Sequence, residues 1–328
     1  MANKTTSSRV QHLAAYRIRR VTEMASKHQK QQWSAEQEAL AVLRVEEDDL
    51  DWRCEEGFPG LRRVGGVDVS FFADGTYAIA TVVVLSFPDL EVLCERTACF
   101  RLAVPYVPGF LAFREVPALT QLLDQLPPKH RPQVVLADGN GAFHPRKCGA
   151  ATHLGITAKL PTIGVAKEVQ QVGEVNTSMA QKLARTLRPG DSALLCPVAA
   201  LLQVNEGSRP LVVSPGHRIS LSSALRLVAA LCRSGTSPEP IRQADRRSRK
   251  AVKAWHAGQH VEYLQAPRLG HLEKMLALKA ETKSEPKEWR WQVKMPPPVA
   301  EAEVVPSTWF STLFGWLCTC SSRTPSIP

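Results

Sequence analysis

The sequence predicts an α/β protein with one mixed central sheet and helices on its faces. Three extended runs follow one another, and the segments between them, Ala73-Asp74-Gly75 and Pro88-Asp89, have turn composition. These runs cover residues 64–72, 77–87 and 91–102. Helical and extended patterns alternate after the third run, which is typical of strands packed against helices. We therefore expect an antiparallel meander that continues into a mixed sheet, in one main domain with disordered tails.

The remaining elements are predicted in order along the chain. The predicted helices cover residues 30–45, 111–126, 149–160 and 238–257, and Ser220 is a candidate N-cap of a further helical run that ends near Cys232. The predicted strands cover residues 133–137, 162–165 and 210–213. Residues 170–207 follow no pattern that assigns them to helix or strand.

Both ends of the chain are expected to lie outside the folded domain, which we place at residues 31–258. Residues 1–30 are a basic tail, residues 259–328 are a low-order tail, and the first 60 or so residues are a polar lead-in rather than core. From residue 279 onward the Lys-, Glu- and Pro-rich composition cannot bury enough apolar surface to order itself. The apolar decamer at residues 309–318 is too short to span a bilayer, and it is either a docking segment or a terminus without function.

Composition narrows the class of protein. The 328 residues are 44% apolar, which is enough for one substantial core, and the net charge of +10 favours a polyanionic partner, although many basic proteins never bind nucleic acid. The eight cysteines form no CxxC pairs and are expected to be reduced thiols. No secretory signal and no run of about 20 apolar residues is present, so we expect a soluble intracellular protein. The first 22 residues also resemble a mitochondrial presequence, but a solvated basic tail is the favoured interpretation.

Two aspartates stand where carboxylates need an explanation. Asp68 lies in the apolar strand VGGVDVSFF, on the face shared by Gly66 and Ser70, so either a basic partner neutralises it or it holds a cation. Asp138 falls at the carboxyl end of the buried strand VVLAD, where ligands of α/β sheets gather. The Asp138-Gly139 pair is also ordinary turn chemistry. Asp68 and Asp138 are therefore candidate metal ligands, not established ones.

Two further acids and a lysine are weaker candidates. Glu115 lies either in a helix kinked by Pro117 or just before a helix that begins there, and it could simply pair with a neighbouring base. Asp245 stands among arginines that usually form solvated ion pairs with such acids. Carboxylates that converge would bind Mg²⁺, and Lys167 after the next strand could then stabilise charge on a phosphate.

Six segments closely resemble motifs of the endonuclease V family, particularly its vertebrate form, and they occur in the same order. The segments are VGGVDVSFF, PYVPGFLAFREVPAL, VVLADGNGAFHPRKCGAATHLGI, TIGVAKE, VSPGHRISLSSALRL and PEPIRQADRRSR, within residues 61–250. Several long motifs in order are far more specific than any single acid. The resemblance implies a ribonuclease H-like fold in which four acids surround Mg²⁺, with Mn²⁺ as a substitute. These acids are Asp68, Glu115, Asp138 and Asp245.

The resemblance also implies roles for other residues. Lys167 matches the family's active-site lysine, and His144 and His217 match motif histidines near the metal, although composition alone would favour structural histidines. Pro105, Tyr106, Val107 and Pro108 match a wedge that enters the base stack, where an aromatic ring can replace lost stacking. The pocket for a flipped base is matched by Leu111, Gly139, Gly141 and Gly149.

The implied activity is hydrolysis of the second phosphodiester bond 3′ to inosine, which leaves 3′-hydroxyl and 5′-phosphate ends. Single-stranded RNA is the expected substrate, with DNA that contains deoxyinosine as a second one. Two alternatives remain open: a catalytically silent protein that binds inosine RNA, and a base-removing glycosylase that needs no metal. We further expect a monomer, without membrane association, in the cytoplasm with a nuclear or nucleolar pool.

Overall fold

The computed structural model describes residues 27–233 and 236–265, and in this part of the chain nine strands form one mixed sheet. The predictions for most of the basic tail, for the Lys-, Glu- and Pro-rich segment and for the apolar decamer lie outside the described residues. The strands are β1 Arg63–Phe71, β2 Tyr77–Ser86, β3 Val92–Arg101, β4 Val134–Asp138, β5 Thr162–Ala166, β6 Ser192–Cys196, β7 Ala199–Leu202, β8 Leu211–His217 and β9 Tyr263–Leu264.

The strand order is β6-β7-β8-β5-β4-β1-β2-β3-β9. Strands β1, β2 and β3 pair antiparallel as a meander, as predicted. β1 also pairs with β4, and β4 with β5, in parallel. The antiparallel strands β8, β7 and β6 complete the other side. The predicted mixed sheet is therefore confirmed, and its parallel centre places the carboxyl ends of β1, β4 and β5 at one edge.

Helices cover both faces of this sheet. They are α1 Lys27–Val42, α2 Ala112–Asp124, α3 Ala150–Ala158, α4 Thr177–Ala184, α5 Leu221–Leu231 and α6 Glu239–His256, with a short 3-10 helix at Pro128–His130. α5 begins at the predicted cap, where the Ser220 side chain accepts a hydrogen bond from the Ser223 amide at 3.2 Å. The predicted alternation of helices and strands is therefore confirmed.

Two apolar clusters hold the helices on the sheet. On one face, Val67, Val82 and Val135 pack against α2 and α3 through side chains such as Leu119 and Leu154. The buried residues of the opposite face pack against α5 and α6; they include Val64, Leu85, Val134, Leu136, Ile163, Val213, Leu227, Leu231, Ile241 and Ala244. Because strand side chains alternate between faces, β1, β2 and β4 each contribute to both clusters.

Gly66 explains how closely α6 approaches the sheet. A Cβ atom at this position would overlap the carbonyl group of Pro240 in the first turn of α6. The missing side chain therefore lets the helix backbone lie directly on β1. This contact brings the middle of α6 next to Asp68 and Ser70, on the strand face predicted from the pleat.

The segment that follows no sequence pattern contains α4, β6 and β7. These elements are only 8, 5 and 4 residues long. They bury a small cluster of their own around Phe143, Leu195 and Leu201. The strands are too short for alternation to be recognised, and a bulge between Leu194 and Cys196 shifts the register of β6. A local signal was present, because Asn176 caps α4 by accepting from the Met179 amide at 3.0 Å.

The lead-in contributes buried residues to the protein, contrary to the prediction that it is not core. Three residues of α1, at spacings of four and three, are buried: Trp33, Gln37 and Leu40. Trp52 and Phe58 join the main core. The prediction was wrong because so narrow a stripe on a polar helix hardly changes its average composition. At the other end, β9 lies beyond residue 258, so the described sheet extends past the predicted domain boundary.

Candidate active site

Asp68 and Asp138 lie side by side at the carboxyl edge of the sheet. In the parallel pairing of β1 with β4, Val67 is opposite Ala137, and the two aspartates are the next residues on neighbouring strands. Residues in register on parallel strands point to the same face, at a strand spacing of about 4.8 Å. The sheet topology therefore brings together two carboxylates that are 70 residues apart in the sequence.

Lys167 joins this pair from the next strand. Val165 of β5 is opposite Asp138, and the chain then delivers the Lys167 ammonium group to Asp138, with 3.0 Å between Nζ and Oδ2. Burial lowers the pKa of Lys167, but the hydrogen bond to Asp138 and the charges of Asp138, Asp245 and Asp68 outweigh it and raise the pKa above its usual value. Lys167 is therefore a cation at neutral pH, and it remains substantially exposed.

Glu115 reaches the same place from α2, which resolves the alternatives left by the sequence. The helix begins at Ala112 and contains Pro117, so Glu115 lies within its first turn. Burial, reinforced by the charges of Asp68 and Asp138 and opposed by Arg114, raises the pKa of Glu115 to about 8. A carboxylate this costly to ionise requires a nearby cation if it is to be charged at neutral pH.

Asp245 approaches from α6, and its neighbour Ser248 connects that helix to β1. The Ser248 hydroxyl donates to Asp68 Oδ2 and lies 2.8 Å from the Ser70 hydroxyl and 2.9 Å from the Asp245 carbonyl oxygen. Burial raises the pKa of Asp68, with a further increase from Asp245 and Asp138, whereas the Ser248 hydrogen bond and Arg249 lower it. Asp245 itself is paired with Arg249 at 2.7 Å. Ser248 was not predicted, because a serine in a helix carries no signal of such a contact.

A cavity of about 340 Å³ opens beside these groups. Asp68, Glu115 and Asp138 line it together with Leu111 and Gly139. Among the described residues, no three acidic, histidine or cysteine side chains are close enough to enclose one ion. Mg²⁺ keeps several waters and is bound by one or two carboxylates plus substrate phosphate, so the carboxylates that line this cavity are of the kind that this ion uses. Their mutual repulsion likewise fits a site that takes up a cation.

The three predicted pocket glycines lie in different surroundings. Gly139 lines the cavity with a φ of +135°, and a Cβ there would find its nearest neighbour 4.0 Å away. A Cβ at Gly141 or Gly149 would instead overlap backbone, the former at Pro215 and the latter at Asn140. The amide of Gly141 donates to Ser214 Oγ at 2.8 Å, and that of Gly149 donates to the Gly141 carbonyl at 2.9 Å. These two glycines allow the loop after β4 to fold tightly behind the cavity.

The two motif histidines do not line this cavity. His144 is buried and lies 3.1 Å from the Gly109 carbonyl oxygen through Nε2, and its Nδ1 accepts from the Arg146 amide at 3.3 Å. His217, at the end of β8, accepts from the Val45 amide at 3.2 Å. Burial, together with nearby arginines, lowers the pKa of each histidine to about 4, so both are neutral at pH 7. The structure brings neither into contact with the carboxylates.

The predicted wedge, residues 105–108, has one exposed and one buried hydrophobic side chain. Tyr106 is 48% exposed, whereas Val107 is buried against Trp33 and Phe113. Arg114 lies with its guanidinium carbon 4.6 Å from the Phe71 ring centre and 5.8 Å from that of Tyr106. In the sequence, Arg114 is simply the basic residue next to Glu115. Its place between two partly exposed rings next to the cavity makes it a further candidate for substrate contact.

A family model described as Endonuclease V matches residues 47–246 of the chain. The chain belongs to the endonuclease V family. The human Endonuclease V is 45% identical over 234 residues, which are 67% of this chain and 82% of the human protein. The mouse Endonuclease V is 45% identical over 233 residues, which are 67% of this chain and 69% of the mouse protein. Endonucleases of this family hydrolyse phosphodiester bonds, so the chain is classed as a nuclease.

Solved structures of endonuclease V share this fold. The catalytic domain of the human enzyme superimposes with a TM-score of 0.67 at 43% identity, over 71% of this chain and 99% of the human domain. The Endonuclease V of Ciona intestinalis, solved in complex with a DNA that contains an inosine followed by a ribo-adenosine, gives a TM-score of 0.62 at 32% identity, over 70% of this chain and 99% of that one. The predicted ribonuclease H-like fold is confirmed. Within the described residues, no helix has the length and apolarity needed to cross a membrane.

Proposed function

We propose that this chain is a Mg²⁺-dependent endonuclease that recognises inosine in single-stranded RNA, with deoxyinosine in DNA as a second substrate. It hydrolyses the second phosphodiester bond on the 3′ side and leaves 3′-hydroxyl and 5′-phosphate ends. The observation that supports this proposal most directly is the convergence of Asp68, Glu115 and Asp138 on one cavity, which Leu111 and Gly139 also line, with Lys167 bonded to Asp138.

The four acids would form the metal site, with Mn²⁺ as a substitute for Mg²⁺; one or two of them would bind the ion directly, and the others would act through its waters or through their negative charge. Asp68 and Asp138 are in register on neighbouring strands, Glu115 faces them from α2, and Asp245 contributes negative charge from α6. When bound, a divalent ion activates water and stabilises the leaving oxygen of the phosphodiester. The raised pKa values of Glu115 and Asp68 favour this assignment, because bound cations would offset the cost of ionising them.

Lys167 would act on the phosphate rather than on the metal. Its ammonium group is exposed at the cavity edge and is held by Asp138. From there it would donate a hydrogen bond to a non-bridging phosphate oxygen and stabilise the charge that develops in the transition state. Leu111 and Gly139 would receive the flipped base, and the backbone at Gly139 can approach it because no side chain intervenes. Gly141 and Gly149 would support that pocket from behind.

Cleavage of matched single-stranded RNAs tests the proposal. One RNA contains a single inosine and the other adenosine at that position, and each is incubated with Mg²⁺ or with chelator. We expect Mg²⁺-dependent cleavage of the inosine RNA alone, one nucleotide beyond the inosine, with a 5′-phosphate on the downstream product. Tight binding without cleavage would favour the reader alternative, and release of a free base would favour the glycosylase.

Replacing Tyr106 by alanine should weaken binding of inosine RNA by about 5- to 150-fold, because stacking of a base on an aromatic ring contributes about 1–3 kcal/mol. Tyr263→Ala is a matched control, since Tyr263 is 47% exposed but lies on β9. Fluorescence anisotropy with a labelled inosine RNA measures both variants. Equal affinities for the two would contradict the wedge assignment.

The cytoplasmic location with a nuclear or nucleolar pool and the monomeric state remain predictions. Gel filtration with light scattering tests the monomer, and fractionation of cells tests the location.

A further inference from the structure

Three side-chain nitrogen atoms surround the carbonyl oxygen of Gly109 within hydrogen-bond distance. This oxygen accepts from Arg146 Nη2 at 2.7 Å and from Gln37 Nε2 at 3.2 Å, and it lies 3.1 Å from His144 Nε2. Because a carbonyl oxygen has two lone pairs, three donors saturate it. His144 therefore carries its proton on Nε2, since Nδ1 accepts from the Arg146 amide.

Gln37 is the member of this network that comes from α1. Its side chain is 1% exposed, and both ends of its amide are used. Its Nε2 also donates to the Cys148 carbonyl at 3.1 Å, and its Oε1 accepts from Arg146 Nε at 2.6 Å. One glutamine therefore connects the segment before α2 with the loop after β4. Buried polar groups satisfied in this way are costly to disconnect, because each lost partner leaves an unpaired donor or acceptor.

Apolar contacts from the same helix reinforce the connection. Trp33 lies one turn before Gln37 and stacks on Phe113, with 5.2 Å between ring centres, and it packs at a tilt against Phe110, with 5.6 Å between ring centres. The same cluster includes Val107 of the wedge. The guanidinium carbon of Arg146 lies 4.2 Å from the centre of the Phe110 ring. α1 therefore covers the inner side of the chain between the exposed Tyr106 and the cavity residue Leu111.

The segment between β3 and α2, which carries Tyr106 and Leu111, has no regular secondary structure to hold it in place. Residues 102–111 form no helix or strand, and Gly109 adopts a φ of +79°. A Cβ at Gly109 would lie 3.1 Å from Arg146 Nη2, so the arginine also occupies the space beside the glycine. The position of the wedge relative to the base pocket therefore depends on what holds the Gly109 carbonyl.

We propose that α1 is a clamp for base recognition, in which Gln37 and Arg146 are positioning residues that fix Gly109 and so set the distance between Tyr106 and the pocket at Leu111. The inference rests on the proposed function, because it assigns that pocket to inosine. It extends the site to a helix that lies before residues 47–246, the part of the chain matched by the family model. The clamp acts on substrate binding and selectivity, whereas the carboxylates act on the chemical step.

Single-turnover cleavage with Gln37→Met tests the clamp. Methionine keeps the volume of the side chain and removes its hydrogen bonds, and Gln31→Met is the matched control because Gln31 is exposed on the same helix. The dependence of the rate on enzyme concentration separates the Kd for RNA from the rate constant at saturation. Binding of Mn²⁺, followed by electron paramagnetic resonance, reports on the carboxylates independently of activity.

We expect Gln37→Met to raise the Kd for inosine RNA about tenfold or more and to lower the preference for inosine over adenosine, because small displacements of positioning groups have effects of this size. The rate constant at saturation and the Mn²⁺ affinity should stay within about twofold of the unsubstituted protein. Arg146→Lys should behave in the same way, since lysine cannot make the forked contact with Gly109 and Gln37.

Two results would overturn the inference while leaving the proposed function intact. In the first, the Gln37→Met variant has the same Kd and selectivity as Gln31→Met. In the second, Gln37→Met loses RNA binding, the saturating rate and Mn²⁺ affinity together, as general unfolding would. If the unsubstituted protein failed to cleave inosine RNA, the proposed function would fail, and the inference with it. The unsubstituted protein is therefore measured first in the same series.

Discussion

Asp68→Asn is expected to lower the rate constant for cleavage of inosine RNA by about 10³-fold or more, which corresponds to about 4 kcal/mol of lost transition-state stabilisation. Asparagine has the shape of aspartate and can still accept the hydrogen bond from Ser248, so the fold should be retained. It lacks the negative charge that would bind the cation next to Asp138. Single-turnover cleavage at saturating Mg²⁺ measures the effect.

Asp74→Asn is the control for this substitution. Asp74 is an exposed acid in the turn between β1 and β2, where it accepts hydrogen bonds from Thr76. It is on the same hairpin as Asp68 but does not line the cavity. Its replacement should leave the rate within about twofold of the unsubstituted protein. Comparable rates for the two variants would remove Asp68 from the proposed metal site.

Glu115→Gln is expected to stabilise the metal-free protein at pH 8 to 9. The pKa of Glu115 is raised to about 8 in the folded protein, mainly by burial, from 4.5. The folded state therefore holds a proton that the unfolded state releases, and this contribution to stability is complete below pH 4.5 and is lost as the pH rises to about 8. At about 1.4 kcal/mol per pKa unit, the loss has an upper limit of about 4–5 kcal/mol. Glutamine resembles the protonated acid and does not ionise, so the Glu115→Gln variant should not lose this stability as the pH rises.

Thermal unfolding in chelator from pH 5 to pH 9 measures this effect as the difference in Tm between Glu115→Gln and the unsubstituted protein. The difference should widen with rising pH and shrink when Mg²⁺ is added. Three buried histidines have pKa values of about 4 and destabilise both proteins equally in acid. Their effect therefore cancels in the difference in Tm between the variant and the unsubstituted protein; they are His144, His153 and His217. Glu174→Gln, on the surface, should follow the unsubstituted protein. A difference that does not change with pH would contradict the burial of a costly carboxylate.

The positions of Asp138 and Lys167 could be predicted because the ends of short apolar strands can be recognised in the sequence, and parallel strands place such ends at one edge of a sheet. Asp68 could be predicted for another reason, because a carboxylate inside an apolar strand needs a partner or a cation. The structure places Asp68 and Asp138 in register and Lys167 3.0 Å from Asp138. Glu115 was only a weak candidate before the resemblance was considered, because the sequence left its helix boundary undecided.

The partners of these residues could not be predicted, since they depend on contacts between distant parts of the chain. Ser248 contacts Asp68 across 180 positions, and Gln37 contacts Cys148 across 111. Nothing in the sequence near Gln37 separates it from its exposed neighbours. The glycines give the opposite difficulty: Gly139 and Gly141 look alike in the sequence, but one borders a cavity and the other packs against Pro215.

The short strand β9 covers part of the outer edge of β3. It pairs with β3 at Cys99 and Phe100, and its neighbour Glu262 accepts a further hydrogen bond from the Cys99 amide at 2.7 Å. Unpaired backbone groups on a sheet edge form a template for a strand from another molecule. Near the other end of β3, Val92 and Leu93 are already exposed. Chains shortened to residue 258 would leave the whole outer edge of β3 open, so their aggregation would reflect the missing two-residue strand rather than a defect in the catalytic centre.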